Sequence, residues 1–335
     1  MTLLRQQVRT LLALVLASCA IAPASAYLKL GTMINGQTQT ARWGTTPVRY
    51  FVNDQEVPGV SAEEFRAAVS QGLSAWEAVS SASIRFEFAG FTSAEPLDND
   101  GMSTMGFRAR RDLERTLAAT EFLVDTTTGE IVESDVFFNS SFAWSAASGG
   151  TAGRYDLQSI ATHEGGHFLG LSHSALGETE LEAGNRRLIA AGAVMFPIAF
   201  SAGDISERTL RADDRAGVSD IYPDATFRQT TGSLQGKVTK NGQGVFGAHV
   251  VAFNLSTGDM IAGFSLDATG EFVVAGLVPG TYVVRVEPLD DGDVTSFFDA
   301  SMSVDTDFRA AFYQTLVTIS AGAGSPMINL AVSPK

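Results

Sequence analysis

In the stretch SAEEFRAAVSQGLSAWEAVS, residues 61–80, the apolar positions Phe65, Val69, Leu73 and Trp76 recur every three or four residues. That period predicts a helix with one buried stripe. Ser61, followed three residues on by Glu64, supplies a capping box for its start. Elsewhere the pattern alternates. PVRYFVN (47–53) and SIRFEF (83–88) read as strands, and RTLAATEFLVD (115–125) and EIVESDVFFN (130–139) as two more, joined through TTTGE. YDLQSIATHEGGHFLG (155–170) predicts a second helix with Asp156 as its N-cap, and LRADDRAGVSDIYP (210–223) a third, closed by Pro223. From about residue 230 short β-rich runs alternate with turn signals: LQGKVTK, NGQG, AHVVAFN, STGD, MIAGFSL, DATG, EFVVAGL, VPG, TYVVRVE. This spacing indicates a small β-sandwich, closed by TLVTISAG and MINLAVS. The polar stretch PDATFRQTTGS (223–233) marks the boundary. Helices and strands thus segregate into an α+β unit over residues 27–225 and an all-β unit over 230–335.

Composition narrows the function. With 335 residues, 45% apolar and 18% charged, the chain suits one large or two modest folded domains. The net charge is −14 and no basic cluster interrupts it, so nucleic acid is not an expected partner. The first 26 residues differ from the rest. Arg5 and Arg9 precede the apolar run LLALVLASCAIA, and Ala24–Ala26 has the small-x-small form of a signal-peptidase site. This is the pattern of a secretory signal peptide. LASC, ending at Cys19, also has the form of a bacterial lipobox. Two outcomes stay open: a secreted, extracellular protein cleaved after Ala26, or one held at the cell envelope by a lipid anchor on Cys19. No later segment is long and apolar enough to be transmembrane. With a single cysteine there is no disulfide framework.

The chemistry is concentrated in THEGGHFLGLSHS, residues 162–174. Three of the four histidines in the chain, His163, His167 and His173, lie there. Positions i and i+4 share a helix face, so His163 and His167 aim at one point. Gly170 falls where the helix should stop, and a left-handed glycine would turn the chain to bring in His173. Three imidazoles with one open position suit a catalytic zinc ion carrying a water. Glu164 leans over that point and is placed to take the water's proton as general base. The implied reaction is hydrolysis of a peptide bond without a covalent intermediate. A closed structural zinc would need a fourth ligand, for which Glu164 is poorly aimed.

The run HEGGHFLGLSH fits HExxHxxGxxH, the metzincin signature. Ser174 after the third histidine and the methionine turn GAVMFPIAF (192–200) resemble the matrixin branch, the family of matrix-metalloproteinase catalytic domains. The resemblance implies an α+β metzincin fold with a mixed twisted sheet and three helices. It places Met195 under the metal and Pro197 in the wall of the pocket beyond the scissile bond. Phe196 stands where an astacin-like site would carry a tyrosine. WGTTPVRYFVN resembles the first matrixin strand, TLAATEF the edge strand and LRADDRAGVSDIYP, with Asp213 and Asp214, the last helix. By that resemblance an extended protein or peptide substrate pairs along Leu117, Ala118, Ala119 and Thr120. Three departures stand out. The second, structural zinc of the family lacks its histidines, since only His249 remains. ALGETELEAGNRRLIAAGA (175–193) looks like an insertion bordering the cleft. No cysteine-bearing propeptide is visible. GKVTKNGQGVFGAHVVAFN and GEFVVAGLVPGTYVVRV resemble carboxypeptidase-regulatory-like, or transthyretin-like, sandwiches.

Two minor features complete the reading. DNDG offers Asp98, Asn99 and Asp100 as oxygen ligands for calcium but lacks the rest of an EF-hand, and an exposed turn is the plainer interpretation. His249 alternates with apolar residues and is expected on the surface. The leading expectation is a secreted zinc endopeptidase whose upstream site is complete, so that the sandwich is dispensable for chemistry. The alternatives are a surface-attached binding protein that uses the sandwich and carries an inactive protease-like domain, and a zinc hydrolase of small peptides or cell-wall material.

Overall fold

The computed structural model describes residues 28–34, 37–182 and 185–335. The signal segment and Cys19 lie outside the described residues. Helix Ala62–Glu77 forms where the period required it, and its capping box is present: the Ser61 side chain accepts from the Glu64 backbone N–H and Glu64 reaches back. Phe65, Val69, Leu73 and Trp76 are all buried. This helix packs on Leu157–Phe168, the helix that carries two of the histidines. Gly72 permits the close approach, because a Cβ there would sit 2.8 Å from the backbone of Ala161 and Thr162. The Trp76 indole donates to the Thr162 carbonyl at 2.8 Å, fixing one helix on the other.

Both helices cover one six-stranded sheet. Its order is Arg42–Trp43, Glu130–Asn139, Thr104–Arg108, Val48–Asn53, Phe86–Thr92, with Ala118–Val124 also paired to Glu130–Asn139. All pairings are parallel except that of Ala118–Val124, which is antiparallel. The sheet is therefore mixed, and the fold is α+β. The strand expected from SIRFEF begins later, at Phe86, after Ser83 has given its N–H to the Tyr222 carbonyl. Helix Ala212–Ile221 ends just before Pro223. None of the described helices is long and apolar enough to cross a membrane.

After the short helix Phe227–Thr230 the chain enters two facing sheets. One contains Gly232–Lys240, Glu271–Leu277 and Ile328–Val332; the other contains His249–Asn254, Met260–Phe264, Gly280–Glu287 and Val317–Ile319. Buried apolar residues form one connected cluster across both parts of the chain, from Trp76 and Phe168 to Val250 and Phe272. The β-rich part is docked on the α+β part.

That docking corrects the placement of His249. Its side chain is not on the surface: the residue is 2% exposed. Its Nδ1 lies 3.0 Å from Glu287 Oε1 and its ring 5.1 Å from that of Phe264. Alternation along AHVVAFN implied one wet face, but the α+β part covers that face. Met195, Asp213, Asp214 and His249 line a cavity of about 20 Å³ in the seam.

Candidate metal centre

The helix Leu157–Phe168 starts at Asp156, whose side chain accepts from the Ser159 N–H at 2.8 Å. Arg208 grips the same carboxylate from across the site, Nε to Oδ2 at 2.8 Å. The helix ends at Gly170, which has φ +94. Its N–H donates to the His167 carbonyl at 2.9 Å, and the chain turns back toward His173. No side chain fits at this turn, because a Cβ would lie 2.1 Å from the Ala41 carbonyl oxygen.

The turn brings the three histidines together. His163, His167 and His173 each offer a ring nitrogen, and these atoms lie within 4.8 Å of one another; among the described residues no other group of three His, Cys, Asp or Glu does so. Each Nδ1 faces a backbone carbonyl: Val194 at 2.7 Å, Leu171 at 2.8 Å and Ser296 at 2.6 Å. A carbonyl only accepts, so each Nδ1 carries the proton and each Nε2 presents a lone pair. His167 Nε2 and His173 Nε2 are 3.1 Å apart. Two acceptors at that distance repel unless a cation lies between them. The separation is close to the value of about 3.3 Å expected between two nitrogens on one tetrahedral zinc. Burial keeps the rings neutral. It lowers the His163 pKa, takes that of His167 well below the usual value and takes that of His173 to about 3, with the neighbouring histidines adding to the last two. Neutral imidazoles are the form that binds metal.

Met195 packs against the histidine helix. A Cβ on Gly166 would stand 2.2 Å from Met195 Sδ and 2.9 Å from the Trp76 ring, so the second glycine of HEGGH lets the methionine touch the helix. The turn itself is tied down by Asp214, which accepts from the N–H groups of Val194 (2.9 Å), Met195 (3.1 Å) and Arg211 (2.7 Å). Its partner Asp213 accepts from the Ser174 hydroxyl at 2.7 Å and the Ala262 N–H at 2.9 Å. Burial pushes Asp213 up to about 7 and Asp214 up to about 6. Pro197 follows the turn, half-buried.

With the histidine trio, the neighbouring methionine and the paired aspartates located, the site can be set beside known proteins. The sequence pattern of the matrixin family matches residues 42–223, more than half of the chain. The chain belongs to the matrixin family. The carboxypeptidase regulatory-like domain pattern matches residues 233–309. A matrixin is a zinc-dependent metallopeptidase, and its histidine trio fits the zinc.

Glu164 is 5% exposed and does not join the ligand set. Burial raises its pKa to about 7, against the pull of the Thr120 hydroxyl. Thr120 Oγ donates to Glu164 Oε2 at 2.7 Å. The sequence marked Thr120 only as a strand residue; its hydroxyl contact joins residues 44 apart, and no spacing rule signals that. Ala118, Ala119 and Thr120 lie in the strand Ala118–Val124, which pairs with Glu130–Asn139 on one side and with no other described strand. Leu117 precedes it, and its carbonyl is taken by the Asn139 N–H at 2.7 Å. In Thr120→Val the shape is kept and the Glu164 hydrogen bond is lost. The expected result is a kcat lowered about tenfold with KM little changed. Unchanged kcat would show that Thr120 does not position the carboxylate.

The insertion is a hairpin, Gly177–Glu182 against Asn185–Ala191. It stands on the methionine turn, since a Cβ at Gly177 would meet the Phe196 ring at 2.5 Å. Asp98 and Asp100 are both exposed. Asp100 accepts from the Met102 N–H at 2.9 Å, within its own turn, while Gly101 donates to Glu133.

Proposed function

We propose that this matrixin is an exported zinc endopeptidase that cuts extended polypeptides. His163, His167 and His173 would hold the zinc, which when bound polarises the scissile carbonyl and acidifies a water. The observation that carries this reading is the pair of facing lone pairs on His167 and His173, 3.1 Å apart. The chain's own groups divide the remaining work. The Thr120 hydroxyl engages Glu164 Oε2, which leaves Oε1 to take a proton from the attacking water and deliver it to the leaving amine nitrogen. The free edge of Ala118–Val124 accepts substrate backbone as an added strand, which selects chains that are already extended. Export follows from the first 26 residues, by release after Ala26 or by retention through lipid on Cys19.

The test is metal analysis of dialysed protein together with cleavage of an unfolded polypeptide. About one zinc per chain is expected, with cleavage lost on chelation and restored by zinc. Folded protein that cuts peptides without zinc would overturn the reading.

A further inference from the structure

Two of the three imidazoles are held from within the matrixin part. His163 uses the carbonyl of Val194 and His167 that of Leu171. Both residues also have their backbones fixed in a helix. His173 has neither advantage. It lies in the irregular stretch after Gly170, and its Nδ1 partner is the carbonyl of Ser296, in the β-rich part, at 2.6 Å.

Ser296 closes a short 3-10 turn, Val294–Ser296. Its N–H donates to the Asp293 carbonyl at 2.8 Å, and the Phe298 N–H donates to Val294 at 2.9 Å. Phe297 and Phe298 are 3% and 2% exposed and pack on Phe264, ring centroids 6.2 and 5.3 Å apart. Phe297 also stands against the His173 ring at 6.3 Å. The insertion hairpin grips the turn from the other side. Thr179 donates to Asp291 through its N–H and its hydroxyl, both at 2.8 Å, and Arg186 pairs with Asp293 at 3.6 Å. A turn fastened on two sides presents its carbonyl in one direction.

We propose that Ser296 is a positioning residue for the third metal ligand, and that the β-rich domain is a working part of the metal centre rather than an appendage. The proposal rests on the zinc reading above. An acceptor at Nδ1 keeps the proton there, sets the ring plane and presents the Nε2 lone pair. Without it His173 would rotate, and its buried N–H would lose its partner. Removing such a partner typically weakens metal binding about 10- to 100-fold. This proposal departs from the expectation of a dispensable sandwich.

The experiment uses the untagged full chain and zinc ion, with affinity read by competition against a chromophoric chelator. Two variants weaken the turn. Phe297→Ala removes its anchor. Replacing Phe297 with phenyllactate turns the Ser296 carbonyl into an ester, a poorer acceptor, while keeping the side chain; it also removes the Phe297 N–H, but the Phe298 bond to Val294 remains. Because the chain has four histidines, nitrogen-15 histidine spectra resolve each ring. Zinc affinity should fall about tenfold or more in both variants, and one Nδ1–H resonance should shift or vanish. Phe312→Ala, exposed on the same domain, should change neither. If Phe297→Ala does not fold, the ester decides. A folded variant with wild-type zinc affinity and an unchanged histidine spectrum overturns the proposal alone; a wild type that binds no zinc overturns the reading beneath it.

Discussion

Glu164→Ala is expected to keep about one zinc per chain and to lose peptide cleavage by about 100-fold or more. The three converging nitrogens belong to His163, His167 and His173, and each keeps its own carbonyl partner when Glu164 is shortened. Coordination is therefore untouched. The carboxylate touches only Thr120 among the described side chains that hydrogen-bond it, so its loss does not open a network. What disappears is the group that moves the proton, and general-base contributions are typically about 100- to 10,000-fold. Metal analysis and kcat/KM on one preparation separate the roles. Activity equal to wild type would show that the base lies elsewhere; loss of zinc would show that Glu164 supports the ligands.

The second large effect is expected at Gly170. Alanine there must adopt φ near +94 and place its methyl 2.1 Å from the Ala41 oxygen. Strain and overpacking together cost about 3 kcal/mol or more, a fall in melting temperature of roughly 10 °C. The turn also carries His173 back to the other two histidines, so zinc affinity should fall along with stability. Gly153→Ala is the control: φ is +74, yet nothing lies within 4 Å, so it carries strain without collision. Calorimetry and chelator competition read both quantities. A Gly170→Ala protein with unimpaired zinc binding would mean that the turn does not set the ligand geometry.

Local rules explain which parts of the molecule could be read from sequence. The capping box at Ser61 and Glu64, the N-cap at Asp156 and the meeting of His163 with His167 all depend on neighbours three or four positions apart, where helix geometry is fixed in advance. Gly170 announced its turn for the same reason. Contacts across the fold left no such trace. Gly166 owes its identity to Met195 and to Trp76, which belongs to another helix. Thr120 meets Glu164 only because the edge strand runs beside the histidine helix. His249 was misplaced because alternation reports one dry face and cannot tell whether another domain covers the second. Ser296, separated from His173 by 123 positions, has no motif at all.

That separation has a consequence in time. A ribosome makes the chain from its N-terminus and adds about 5–20 residues per second, so the turn holding Ser296 emerges roughly 6 to 25 seconds after the histidine it serves. When His173 emerges, His167 already has its partner Leu171 in sequence; His163 gains Val194 21 residues later, and His173 waits for residue 296. A chain broken off before residue 296 keeps every residue of the HExxHxxGxxH motif yet lacks the carbonyl that His173 Nδ1 meets. On the proposal that Ser296 positions His173, arrival of residue 296, rather than of the motif, is expected to finish the metal centre.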